Sequence, residues 1–134
     1  MGNKGIFKRD ADELQFIFQF LREHWKELKI EDKSKKELEL SVEEIFMNMV
    51  RHNTNSDFDI KLLVEKKDGS IILKLSDHEI QPFDITKTDD VDFEEYFRKK
   101  KTGGLGIHLV KKLMDDIQFT HSNGISTITI TKKI

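Results

Sequence analysis

The sequence predicts an α/β fold class of the α+β kind, with long helices and separate β-hairpins. Three observations carry this. Two stretches near the N-terminus, about residues 10–28 and 35–53, repeat their apolar residues with helical period. Two later stretches carry strand-like runs that meet at Asp68-Gly69 and Asn123-Gly124, dipeptides that favour two-residue hairpin turns. Between the hairpins, a third helical repeat opens on Gly103, Gly104 and Gly106.

Taken in order, residues 4–9 read as a short edge strand, and Asp10 or Asp12 can cap the helix that follows. In that helix, which should reach about Leu28, Leu14, Ile17, Phe18, Leu21, Trp25 and Leu28 form one apolar stripe. Phe16 and Phe20 lie one turn apart on another side. A second layer of the same domain covering them is the preferred reading over an exposed dimer or partner interface. His24 is expected at the surface or rim. A phospho-accepting histidine would need a long helical hairpin around it, and only one helix precedes the next element.

Ser34 and Glu37 have capping-box spacing, which predicts the second helix from about Lys35 to Asn53. Leu38, Val42, Ile45, Phe46, Met49 and Val50 wrap much of its circumference, yet Glu37, Ser41, Glu44, Asn48 and His52 run down one side. A polar stripe on an otherwise buried helix needs partners, because unpaired buried polar groups cost free energy. Glu44 and Asn48 are therefore either a hydrogen-bonded pair within the helix or the wall of a ligand cavity. In a cavity, a carboxylate can accept a proton from an attacking hydroxyl, and an amide oxygen suits Mg²⁺.

Residues 58–67 and 70–76 read as paired strands, the second ending at Ser76-Asp77. Residues 84–102 are polar and long, the pattern of a functional loop or lid, with a short helix possible at Asp92–Phe97. The stretch Thr102-Gly103-Gly104-Leu105-Gly106 then leads into a helix with Ile107, Val110, Leu113, Met114 and Ile117 on one face and His108, Lys111, Lys112 and Asp115 on the other. A glycine turn opening onto a helix offers free N–H groups at the positive end of the dipole, an anion site; a plain loop is the alternative. No Gly-Lys-Ser/Thr follows, so it is not a P-loop, and the spacing is not that of a dinucleotide fingerprint. Residues 117–121 and 125–133 complete a closing hairpin. No internal repeat or domain boundary interrupts residues 1–134, which are read as one domain.

Composition narrows the function classes. The net charge of −2 argues against a general nucleic-acid binder, despite the basic run Arg98–Lys101. No apolar run spans a membrane, no signal-peptide core or myristoylation signal is present, and the cytoplasm is the expected compartment. The chain has no cysteine, which excludes disulfides, zinc-thiolate sites and cysteine catalysis.

Three motifs stand in order: Ser41–His52 with Glu44 and Asn48, Ser76-Asp77 through Phe83-Asp84, and Gly103-Gly104-Leu105-Gly106 leading to Leu113-Met114-Asp115. They resemble the N, G1 and G2 boxes of the GHKL ATPase superfamily, most closely the bacterial anti-sigma-factor serine kinases of the RsbW and SpoIIAB type. The resemblance spans roughly residues 10–134. It implies the Bergerat fold, a two-layer sandwich with about three helices on one face of a mixed, mostly antiparallel sheet. It also implies roles: Glu44 as catalytic carboxylate, Asn48 as Mg²⁺ ligand, and Asp77 as acceptor for the adenine amino group. Lys101, Thr102, Gly103, Gly104, Leu105 and Gly106 would belong to the nucleotide site, with phosphate held at the glycines and the first helical amides. The implied ligands are ATP and Mg²⁺. The implied partners are a STAS-type antagonist, phosphorylated on serine, and a sigma factor, with a homodimer allowed. The pattern departs at Glu79, where the family usually has glycine, and the Asp77–Phe83 spacing is one residue longer. A rearranged loop, weakened ATP binding, or a non-catalytic regulatory module are the readings this leaves open, beside an ATPase without protein substrate.

Overall fold

A computed structural model describes residues 3–52, 58–78 and 105–134, apart from the side chains of His52 and Leu105. The element order is β1 (Lys4–Phe7), a 3-10 turn (Ala11–Glu13), α1 (Leu14–Trp25), α2 (Asp32–His52), β2 (Ile60–Lys67), β3 (Ser70–His78), α3 (Leu105–Leu113), β4 (Asp116–Ser122) and β5 (Ile125–Lys133). The five strands form one sheet in the order β1-β2-β3-β5-β4. All four pairings are antiparallel, so the sheet lies at the antiparallel end of what was expected. This is the α+β sandwich the sequence predicts.

Strand alternation sets the layers. On β3, Ile71, Leu73, Leu75 and Asp77 are buried, while the residues between them are half-buried. The neighbouring strands continue that inner face with Phe7, Leu62, Val64, Ile128 and Ile130. Against it the helices bury Ile17, Leu21 and Trp25 from α1, Leu38, Val42, Ile45, Phe46 and Met49 from α2, and Ile107 and Val110 from α3. Both hairpin turns have positive φ at both central residues, 51° and 74° at Asp68-Gly69 and 53° and 75° at Asn123-Gly124. That conformation matches the twist of the flanking strands.

Several boundaries and exposures differ from expectation. Asp10 is the N-terminal cap, its Oδ1 accepting from the Asp12 N–H at 2.9 Å. The first helix ends at Trp25, and the next residues close in tighter turns, with the Glu27 and Leu28 N–H groups donating to His24 and Trp25 carbonyls. The second helix begins at Asp32, so Ser34 lies inside it and forms no capping box; the Asp32 carboxylate instead sits at the positive end of the dipole. His24 is buried rather than at the surface. Its Nδ1 lies 2.8 Å from the Phe20 carbonyl, and its ring packs on Phe20 at 4.6 Å between centroids. Phe20 also meets Phe7 edge-on at 5.7 Å, so the covered reading holds for Phe20, whereas Phe16 is 49% exposed. His108, expected on the polar face of α3, is buried, and Ile117 lies in β4 beyond that helix.

The proposed lid at 84–102, the possible helix at Asp92–Phe97, and Lys101, Thr102, Gly103, Gly104 and Glu79 lie outside the described residues. Among the described residues no helix is long and apolar enough to cross a membrane.

Candidate functional site

The site is built on the polar stripe of α2. Steps of four residues keep Ser41, Glu44 and Asn48 near one side of the helix, and two of the three are satisfied within it. Ser41 Oγ donates to the Glu37 carbonyl at 2.8 Å, and Asn48 Nδ2 donates to the Glu44 carbonyl at 2.9 Å. Asn48 is only 3% exposed. Its amide is therefore oriented by its own helix: the nitrogen is committed to backbone, and the oxygen remains to serve a cation. Both readings of the Glu44/Asn48 pair are realised at once, because the internal hydrogen bond is what aims the amide.

Glu44 is half-buried and turns towards the first turn of α3. A methyl group at Gly106 would overlap its carboxylate, meeting both Oε2 and Cδ. Gly106 is thus required for space as well as for backbone freedom, since it admits an acidic side chain from the neighbouring helix. The first N–H groups of a helix starting at Leu105 have no intrahelical acceptors and carry the positive end of its dipole. Helix α3 is held at its other end by Lys132 of β5. The Lys132 ammonium donates to the Leu113 carbonyl at 2.8 Å and pairs with Glu37 of α2 at 3.0 Å.

At the far end of the stripe, Asp77 occupies the last inward position of β3. Its carboxylate is tied to Arg9, in the segment after β1. Arg9 Nη1 donates to Asp77 Oδ2 at 3.2 Å and to the Met49 carbonyl at 2.9 Å, while Nη2 pairs with Asp77 Oδ1. One guanidinium therefore joins Asp77 to the residue beside Asn48. Across the sheet, Asp77 is in register with the buried Ser126 of β5, and Ser126 Oγ lies 2.9 Å from Nδ1 of His121 on β4.

The structure thus brings Glu44, Asn48 and Gly106 together and places Asp77 one side chain away. Arg9, Ser126 and His121 are additions. Ser126 had a signal, as a hydroxyl at an inward position ahead of Ile128 and Ile130. Arg9 had none, because its carboxylate partner is 68 residues distant.

The histidine kinase-like ATPase domain family matches residues 7–132. The chain belongs to this family. Among the curated members, a serine-protein kinase RsbW of Listeria monocytogenes serovar 1/2a is 29% identical over 104 residues, covering 73% of this chain and 65% of that protein. The chain therefore spans slightly less than two thirds of that relative. The fold is shared with the RsbU and RsbW domains of Rv1364c from Mycobacterium tuberculosis, at a TM-score of 0.70 and 15% identity over 97% of this chain and 31% of the other. It is shared too with the SiaB-SiaC complex of Pseudomonas aeruginosa, at a TM-score of 0.61 and 11% identity over 98% of this chain and 89% of the other. Within the histidine kinase-like ATPase domains, these neighbours place the chain on the RsbW-like, GHKL side.

Proposed function

We propose that this chain is an ATP- and Mg²⁺-dependent serine protein kinase, acting as one domain and as an anti-sigma regulatory factor. Its substrate would be a serine of a STAS-type antagonist, and a sigma factor would be the partner held when the antagonist is absent. The observation that carries the reading is the Glu44 carboxylate seated against Gly106 at the start of α3. A proton acceptor thereby stands where the helix dipole favours phosphate.

Glu44 would take the proton of the attacking serine hydroxyl as its oxygen bonds to the γ-phosphorus and ADP departs. Asn48 fits a Mg²⁺ ligand, since its amide is buried and pre-aimed and its oxygen is a hard donor. Mg²⁺ bound with ATP would neutralise phosphate charge. Among the described residues no three His, Asp or Glu side chains converge on a point, which suits a cation that leans on substrate phosphates. Gly103, Gly104, Leu105 and Gly106, with Lys101 and Thr102, would hold the phosphates, and Asp77 marks the base end.

Incubation with labelled ATP, Mg²⁺ and a STAS-type antagonist tests the reading. Wild type should label the antagonist, and Glu44→Ala should not. Equal labelling by the two would refute the assignment of Glu44.

A further inference from the structure

The base end of the site holds a contact that the proposed function does not use. Arg9 and Asp77 form a buried pair, with side chains 9% and 0% exposed. Both carboxylate oxygens accept from the guanidinium fork. The same fork donates to the Met49 carbonyl at 2.9 Å and to the Phe58 carbonyl at 3.4 Å. It is therefore anchored by α2, by the segment entering β2, and by β3, unlike a surface pair that solvent can rearrange. A planar guanidinium matches a carboxylate in two parallel hydrogen bonds, and such charge-assisted bonds are roughly twice as strong as neutral ones. The exocyclic amino group of a purine is a neutral donor. To be read by Asp77 it must share or displace oxygens already engaged by a cation.

We propose that Arg9 is a specificity-determining residue of the nucleotide site: by occupying the Asp77 carboxylate it stops that group from selecting adenine over guanine. This rests on the nucleotide-binding reading above. The chain then binds ATP and GTP comparably, through the phosphate end built on Asn48, Gly106 and α3. Adenine selectivity is latent in Asp77 and is released when the fork is removed. The opposite role, in which Arg9 orients Asp77 to receive the amino group, predicts the reverse sign for each measurement.

Calorimetric titration of the full chain with MgATP and with MgGTP distinguishes them, using wild type, Arg9→Met, Arg9→Lys and the double variant Arg9→Met/Asp77→Asn. In wild type, the two affinities should agree within about threefold. Arg9→Met should bind ATP at least about fivefold more tightly with no gain for GTP, and the double variant should lose that gain. Arg9→Lys, which keeps a charge but not the fork, should fall between. Wild-type preference for ATP of about tenfold or more would overturn the proposal, as would an Arg9→Met protein, folded by circular dichroism, that binds ATP no better than wild type. Should Arg9→Met not fold, Arg9→Lys decides, and ATP affinity at or below wild type overturns the proposal. If wild type and every folded variant bind neither nucleotide at millimolar concentration, the nucleotide reading itself fails and this proposal with it.

Discussion

Glu44 and Gly106 are best understood as one unit. Each has a residue type that makes sense only beside the other: the carboxylate needs an opening, and the glycine supplies it. Gly106→Ala should therefore displace Glu44 as well as crowd the backbone. We expect antagonist phosphorylation to fall by about tenfold or more, since small misplacements of a positioned group are costly. Glu44→Gln keeps the shape and removes the base. It should lower the rate of transfer by about 10² to 10⁴ while ATP affinity, measured by calorimetry, changes little. A Glu44→Gln protein that transfers phosphate at the wild-type rate would show that the proton leaves by another route.

At the scale of elements, the position of α3 matters most, because it carries Gly106 to α2. Lys132 is the side chain that joins β5, α2 and the C-terminal end of α3. Lys132→Met should leave the Glu37 carboxylate and the Leu113 carbonyl without that donor. The expected loss is about 1.5–3 kcal/mol in urea unfolding, the range for hydrogen bonds to charged groups. The β4–β5 turn offers a second check. Gly124 has φ of 75°, and Gly124→Ala should cost about 1 kcal/mol because a Cβ is disfavoured there. Both substitutions lie away from the stripe on α2, so any change in ATP affinity would report a shift of α3 and not a lost contact.

For the whole molecule, ligand binding and stability are linked. A site formed by α2, α3 and the end of β3 exists only in the folded chain. MgATP should therefore raise the thermal midpoint, with about 2.7 kcal/mol of stabilisation at a ligand concentration 100 times Kd. EDTA should remove most of that increase if Asn48 works through Mg²⁺. A midpoint unchanged by MgATP at millimolar concentration would speak against nucleotide binding at this site.

Periodicity and turn chemistry are local properties, and they made most of the fold legible in the sequence. The apolar stripes of α1 and α2, the Asp68-Gly69 and Asn123-Gly124 turns, and the glycine-led third helix each depend on residues within a few positions of one another. So does the Glu44/Asn48 spacing, because four residues return to one side of a helix whatever surrounds it. The boundaries were less legible. Ser34 had the spacing of a cap, yet Asp32 begins the helix, since capping depends on how the chain enters as well as on residue type. His24 and His108 looked polar but are buried, because a ring can pack with its carbon edge and satisfy a nitrogen locally, as His24 does on the Phe20 carbonyl. By itself, then, the sequence determined the elements, the polar stripe and the family of the chain. Tertiary structure alone decided that Gly106 makes room for Glu44, that Ser126 and His121 share a row with Asp77, and that Arg9 claims the Asp77 carboxylate. These contacts join groups from different elements, and only the packing of helices on the sheet brings such groups within reach.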